Sequence, residues 1–222
     1  MNHKEIAKAA QNRYRILSKI FEKHYRKREF SRLKNRDFSI ICSNCVAGLF
    51  YHSYNLPFLT PTINVDFNGE GFLLFACHLK EYLDMELLDN GRDVNGYIVA
   101  KLGEYTLTFP HNSTFEEAKD EWNRRKNRIN HDNIVIMWNA KDKHVSKELI
   151  ALFDQIGYRK FFFTIDEDLK NHPQAIFLKE YSDLESLPLL TYRINNRGER
   201  LYEKHFDWIG FLNGASFEES KK

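Results

Sequence analysis

Phe38-Ser39-Ile40-Ile41-Cys42-Ser43-Asn44-Cys45, with the run Val46 to Tyr54 that follows it, decides the fold. Phe38 to Cys42 reads as a short buried strand, an apolar run closed by turn-forming residues. Ser43 and Asn44 are helix-capping types, so Cys45 to Tyr54 is expected to be a helix ending near Asn55. A buried strand feeding straight into a helix is the opening of a layered α/β structure.

Working outward from this stretch, Leu56-Pro57 and Thr60-Pro61 interrupt the chain, since a residue before proline is pushed towards extended geometry. Thr62 to Phe67 alternates as a strand, with Asn68-Gly69 as its turn. Phe72 to Leu88 has helical spacing, and Asp89 to Gly96 reads as a polar loop. Tyr97 to Leu102 and Tyr105 to Phe109 flank Gly103 as a hairpin. Ser113 with Glu116, and Thr114 with Glu117, both fit a capping box opening a helix that runs to about Ile129. Asn133 to Trp138 reads as a strand, Ser146 to Ile156 as a helix stopped by Gly157, and Arg159 to Ile165 as a Phe-rich strand. Ala175 to Leu178 is a further strand, and Leu201 to Leu212 a terminal helix. The alternation predicts an α/β/α domain with a mixed, mostly parallel sheet. It spans residues 38–222, and a basic helical extension occupies residues 1–37.

The 222 residues are 42% hydrophobic and 29% charged, with ten Gly and five Pro, which excludes disordered, collagen-like and coiled-coil classes. The longest clear apolar run, Phe72 to Cys77, is far short of the roughly 20 residues of a membrane span. The N-terminus MNHKEIAKAA lacks a secretory signal, and three cysteines make no disulfide framework. A cytoplasmic protein is expected, with peripheral contact at the inner face of the cell membrane as an extension of that reading.

The net charge of +2 hides an asymmetry. Residues 1–37 hold 12 Lys/Arg against 4 Asp/Glu, or +8, and the rest of the chain is −6. In the basic segment Ile6, Ala9, Ala10, Leu17, Ile20, Phe21 and His24 share one helical face, and Lys8, Arg15, Lys19 and Arg26 the opposite one. Such a helix either packs its apolar stripe on the domain and leaves its cations solvated, or docks on an anionic lipid surface. RNA-binding sheet signatures and zinc-finger spacing are absent, so no nucleic-acid partner is expected.

Ser43-Asn44-Cys45 lies where a strand's carboxyl end meets a helix N-terminus, a position that favours anions and thiolates. Cys45 there is either a nucleophile with a lowered pKa or a small packed residue. Cys42 and Cys45 spell C-x-x-C without the flanking residues of thioredoxin. Cys42, Cys45, Cys77 and His78 lack zinc-site spacing. His111 occupies a loop between strand and helix, from which a base can reach substrate. Arg124 and Arg128 turn towards Glu117 and Glu121, whereas Arg125 sits at the rim of the buried face with Trp122 and needs an anion, either an internal carboxylate or a ligand phosphate. Asp166-Glu167-Asp168 follows a strand in the weak D-x-D pattern of metal-dependent glycosyltransferases.

FSIICSNC, Tyr51, the Pro and Thr residues around Thr60 to Thr62, EEAKDEWNRRKNRIN from Glu116 to Asn130, and Asp132-Asn133 together resemble the bacterial domain-of-unknown-function family 1919, over residues 35–165. Members are often labelled exopolysaccharide biosynthesis proteins. The resemblance implies an α/β protein linked to surface-glycan loci. It maps the family's blocks onto Ser43, Asn44, Cys45, Thr60, Pro61, Thr62, His111, Trp122, Arg124, Arg125, Arg128 and Asn130. Val46-Ala47-Gly48 and Thr60 depart from the family pattern, with a less glycine-rich opening and a threonine in place of serine.

The expected function is therefore in capsule or exopolysaccharide assembly, as a transferase handling a sugar nucleotide or lipid-linked sugar phosphate. Cys45 and His111 are the candidate catalytic residues. Ser43, Asn44, Thr60, Thr62, Arg124, Arg125, Arg128 and Asn130 are the candidate binding residues, with no metal ligands and the cofactor unassigned. A non-catalytic glycan- or partner-binding module and a Cys-dependent hydrolase or transferase are the alternatives.

Overall fold

The computed structural model describes the backbone of residues 3–67 and 69–222 and the side chains of 18–67 and 69–222. Helix α1 (His3–Arg32) is followed by β1 (Ser39–Cys42), α2 (Val46–Ser53), α3 (Gly69–Cys77), α4 (Leu79–Asp84), β2 (Leu87–Arg92), β3 (Ile98–Leu102) and β4 (Tyr105–Phe109). Then come α5 (Phe115–Lys126), β5 (Ile134–Asn139), α6 (Lys147–Gln155), β6 (Arg159–Thr164), β7 (Ala175–Phe177), α7 (Leu201–Lys204), α8 (Trp208–Leu212) and α9 (Phe217–Ser220). The contacts divide the chain into two units, residues 37–188 and residues 1–36 with 189–222. The C-terminal residues thus group with α1, whereas the sequence reading has 38–222 as one domain.

In the larger unit, β1, β5, β6 and β7 form a wholly parallel sheet in that order, and β2, β3 and β4 form a separate antiparallel sheet. This is an α/β fold. Register alternation gives the parallel sheet two apolar faces. Ile41, Ile136, Trp138 and Phe162 point to a core shared with Phe72 and Phe75 of α3, Trp122 of α5 and Phe153 of α6. Cys42, Val135, Met137, Phe161 and Phe163 are fully buried on the other face. There α2 is tied to β1, with the Tyr51 hydroxyl donating to Phe38 O at 2.9 Å and accepting from Ile40 N at 3.0 Å. Lys160 closes the end of α6 by donating to the carbonyls of Phe153, Asp154 and Ile156 at 2.7–2.8 Å, matching a cation to the helix's negative end.

Several local expectations are corrected. Phe72 to Leu88 is not one helix: the chain breaks at His78 and turns extended at Met85, so Leu87 opens a strand. Of the polar stretch Asp89 to Gly96 only Asp93 to Gly96 is loop; Asp89 to Arg92 belongs to that same strand, exposed at every residue but the first, with a register shift between Asp89 and Arg92 where Gly91 takes φ +79°. A bulged edge strand lacks the alternation that identifies strands in sequence. Residues 62–67 form turns with a single bridge, Asp66 to Thr108, and Asn68 of the expected turn lies outside the described residues. Leu201 to Leu212 is two short helices separated at His205–Asp207. Helix α5 ends at Lys126, and of its two capping options the structure uses Thr114. The Thr114 hydroxyl accepts from Glu117 N at 3.2 Å, and Glu117 Oε2 accepts from Ser113 N at 2.8 Å.

In the smaller unit, α1 buries Arg26, Glu29 and Leu33. Arg26 forms a two-pronged pair with Glu203 and donates to Gly198 O at 2.6 Å. Arg32 pairs with Asp207 at 2.5 Å, and Arg193 with Glu22 at 2.6 Å. Asn213 recognises the end of α1: its Oδ1 accepts from Lys34 N and Asn35 N, and its Nδ2 donates to Arg32 O. The bond to Arg32 O satisfies a carbonyl that the helix end leaves orphaned. Arg26, placed by sequence on a solvated basic face, is instead a buried structural cation. Ile20 and Phe21, assigned to the apolar packing face, are 47% and 53% exposed. The side chains of Ile6, Lys8, Ala9, Ala10, Arg15 and Leu17 lie outside the described residues.

Candidate functional site

Helix α2 leaves β1 on the second face of the parallel sheet, whereas α6, which follows the neighbouring strand β5, packs on the first. The carboxyl ends of the two strands, the edge where open α/β sheets bind ligands, carry Ser43-Asn44-Cys45 after β1 and Asn139-Ala140-Lys141 after β5. Ser43 joins them, accepting from Asn139 N at 2.9 Å. Asn139 is half-buried, and its side-chain oxygen is buried with no hydrogen-bond partner among the described residues. An unpartnered buried acceptor costs about 1–3 kcal/mol. Lys141, two residues further on, is exposed.

Asn44 Oδ1 accepts from Val46 N at 2.9 Å and lies 3.0 Å from the Cys42 sulfur. The amides of Asn44, Val46 and Ala47 also face that sulfur. The anion-seeking end of α2 is therefore turned on buried Cys42, whose thiol burial still pushes up to about 12. Cys45 is exposed at the helix cap, and partial burial together with Asp66 raises its pKa. This opposes the expectation of an activated thiolate at Cys45: the helix dipole acts on the other cysteine of the C-x-x-C pair.

Thr60 and Thr62 are fully buried and serve the backbone. Their hydroxyls meet at 3.1 Å, Thr62 Oγ1 accepts from Cys42 N at 3.2 Å, and Thr60 Oγ1 accepts from Thr62 N at 3.3 Å. The next residue, Ile63, links α2 to α5. A methyl group at Gly48 would come within 3.3 Å of its side chain, and its carbonyl accepts from Arg125 Nη1 at 3.0 Å. Arg125 is buried, stands over Phe58, and pairs with Glu121 at 2.8 Å. Of the two anions open to it in sequence, the structure supplies the internal carboxylate. Burial lowers its pKa, and Glu121 opposes that shift.

Arg124 is exposed, 3.7 Å from the other Glu121 oxygen, and His111 is exposed in the turn after β4. Asn130 lies at the amino end of β1: its N donates to Ser39 Oγ at 2.9 Å and its Nδ2 to Asp37 O at 3.1 Å. Strand β1 alone places it at least about 10 Å from Ser43-Asn44-Cys45. Arg128, exposed and two residues before Asn130, belongs to that end too. The structure thus places Ser43, Asn44 and Cys45 together at the carboxyl end of β1, ties Thr60, Thr62 and Arg125 to the packing around it, and leaves Arg128 and Asn130 at the opposite end of the sheet.

Asp166 is buried and consumed as a cap, accepting from Asp168 N at 3.0 Å and Val145 N at 2.8 Å. Among the described residues no group of three or more His, Cys, Asp or Glu is placed to hold a metal ion. An open cleft of about 560 Å³ lined by Lys80, Asp84, Lys126 and His131 contains none of the residues expected from sequence. Its Lys126 ammonium is already bound to the carbonyls of Leu83 and Met85.

Asn139 and Asp66 carry no signal in the sequence. Glu121, expected opposite Arg124 and Arg128, pairs most closely with Arg125, to which its i,i+4 spacing also fits.

The fold defines an α/β protein with a parallel four-stranded sheet and a separate antiparallel one. The chain belongs to the family described as "Domain of unknown function (DUF1919)", whose match covers residues 16–213. It is also similar to a Haemophilus influenzae (strain ATCC 51907 / DSM 11121 / KW20 / Rd) protein that carries the name "Uncharacterized protein". The two are 25% identical over 184 residues, which are 83% of this chain and 88% of the relative. No helix among the described residues is long and apolar enough to cross a membrane.

Proposed function

We propose that this protein handles a sugar nucleotide or lipid-linked sugar phosphate in capsule or exopolysaccharide assembly, and that the sugar sits at the carboxyl ends of β1 and β5. The observation that carries the reading is the buried Asn139 side-chain oxygen, which has no hydrogen-bond partner among the described residues, near the exposed turn at Cys45. A sugar hydroxyl supplies the missing donor, and the exposed Lys141 supplies a cation for phosphate. The surface-glycan association implied by the family resemblance supports the same chemistry. A Cys-dependent reaction loses support, because Cys45 is held towards its protonated form. A binding module is the second reading, favoured by the internal use of Thr60, Thr62 and Arg125.

The test is calorimetry and thermal shift with a panel of nucleoside diphosphate sugars, with turnover assayed separately. At least one sugar nucleotide should bind. Asn139→Ala should weaken it about tenfold, the worth of one well-made hydrogen bond, while Arg128→Gln at the far end of the sheet leaves it unchanged. Binding without turnover selects the module over the transferase. No binding across the panel, or full affinity in Asn139→Ala, removes the proposal.

A further inference from the structure

The geometry points to a second functional surface, independent of the carboxyl edge of the sheet: the exposed face of α1 is a docking surface for an anionic lipid bilayer, entered by Ile20 and Phe21. The ion pairs of the smaller unit fix which side of this helix is occupied. Glu22, Arg26, Glu29 and Leu33 recur at three- and four-residue spacing. Arg26 is bound to Glu203, Glu22 to Arg193, and Leu33 is 2% exposed. Ile20 stands about 240° of helix rotation before Arg26, on the other side. It and Phe21 are about half exposed, and His24 on the same side is exposed as well. Ile20 and Phe21 are adjacent in the chain, and moving two such side chains from water into an acyl region is favourable.

Charge selects the occupant. Lys23 and Lys27 are exposed beside this stripe, and the first 37 residues carry +8. A second copy laid face to face would bring like charges together, whereas anionic headgroups neutralise the lysines while the acyl region takes Ile20 and Phe21. A nucleic-acid backbone would satisfy the lysines and leave the two apolar side chains in water. Both substituted residues are solvent-facing, so their replacement leaves the Arg26–Glu203 pair and the Asn213 cap in place.

The experiment is cosedimentation of the full chain with phosphatidylcholine vesicles, with and without phosphatidylglycerol, at low and high salt. Binding should require phosphatidylglycerol and weaken with salt. Ile20→Ser with Phe21→Ser should reduce it at least about tenfold, with the circular dichroism spectrum unchanged. Lys23→Gln and Lys27→Gln together should reduce it by about tenfold or more. In Phe21→Trp, indole emission should shift to the blue on adding anionic vesicles. Absence of binding at low salt, no emission shift, or binding unaffected by the Ile20 and Phe21 changes overturns the inference. A concentration-dependent dimer abolished by those same changes would assign the face to a second copy instead, and would overturn it too.

Discussion

Cys42 and Asn44 face each other with the Cys42 sulfur 3.0 Å from the Asn44 side-chain oxygen, and the first amides of α2 point at the same sulfur. The helix end that would otherwise activate Cys45 is directed into the protein. The two thiols of the C-x-x-C pair therefore differ by burial and by which of them the helix dipole reaches.

Iodoacetamide should label Cys45 in the folded protein and spare Cys42 until the chain unfolds. Its pH–rate curve should rise above the ordinary thiol value, because burial and Asp66 both raise the Cys45 pKa. Asp66→Asn removes the like charge and should speed labelling near neutrality by about two- to threefold. Peptide mapping distinguishes Cys45 from the half-buried Cys77.

Stability should fall on the alkaline side. The Cys42 thiol moves from an ordinary value of 9.0 to about 12 on folding, chiefly by burial. Its contribution is complete below the unfolded value and is lost as pH rises towards the folded one, where the unfolded chain has released a proton that the native chain retains. Tyr51 is raised by burial and acts in the same sense at higher pH. Urea midpoints from about pH 8 to about pH 10.5 should decline, and Cys42→Ala should flatten that decline while lowering stability throughout.

Glu121→Gln should cost roughly 2–3 kcal/mol, somewhat less than breaking a fully buried pair, because Glu121 retains some exposure while Arg125 does not. Combining it with Arg125→Met should recover most of the loss, since no uncompensated guanidinium then remains. Denaturant unfolding of the two single variants and the double variant measures this coupling.

Gly198→Ala and Gly214→Ala separate backbone strain from steric contact. Both glycines have positive φ, +78° and +106°, but a methyl group at Gly198 would meet the Glu22 side chain at 2.5 Å, and one at Gly214 meets nothing within 4 Å. About 1 kcal/mol is expected at Gly214 from backbone conformation alone. Gly198→Ala should cost about 2 kcal/mol or more, because Glu22 must also leave Arg193. Thermal unfolding of both variants gives the comparison.

Read from sequence alone, the parallel-sheet strands, α2, α5, α6 and the Tyr105 hairpin were legible, because apolar runs, capping residues and Gly103 act locally, within a few residues of the structure they specify. The edge strand Leu87–Arg92 was not. Its partner, β3, rather than its own residues, makes it a strand, and only Leu87 is buried.

By itself, the sequence determined the α/β class, the turn at Ser43-Asn44-Cys45, the family, and an arginine on α5 that had to find an anion. Tertiary structure alone decided that the anion is Glu121, that Cys42 rather than Cys45 receives the helix amides, and that Asn130 sits at the far end of β1 from Cys45. It also decided which side of α1 is buried, since Arg26 finds Glu203 at a sequence distance of 177 residues. The division follows from the range of the forces: periodicity and capping are written into neighbouring residues, whereas burial and pairing of charge depend on which distant segments fold onto them.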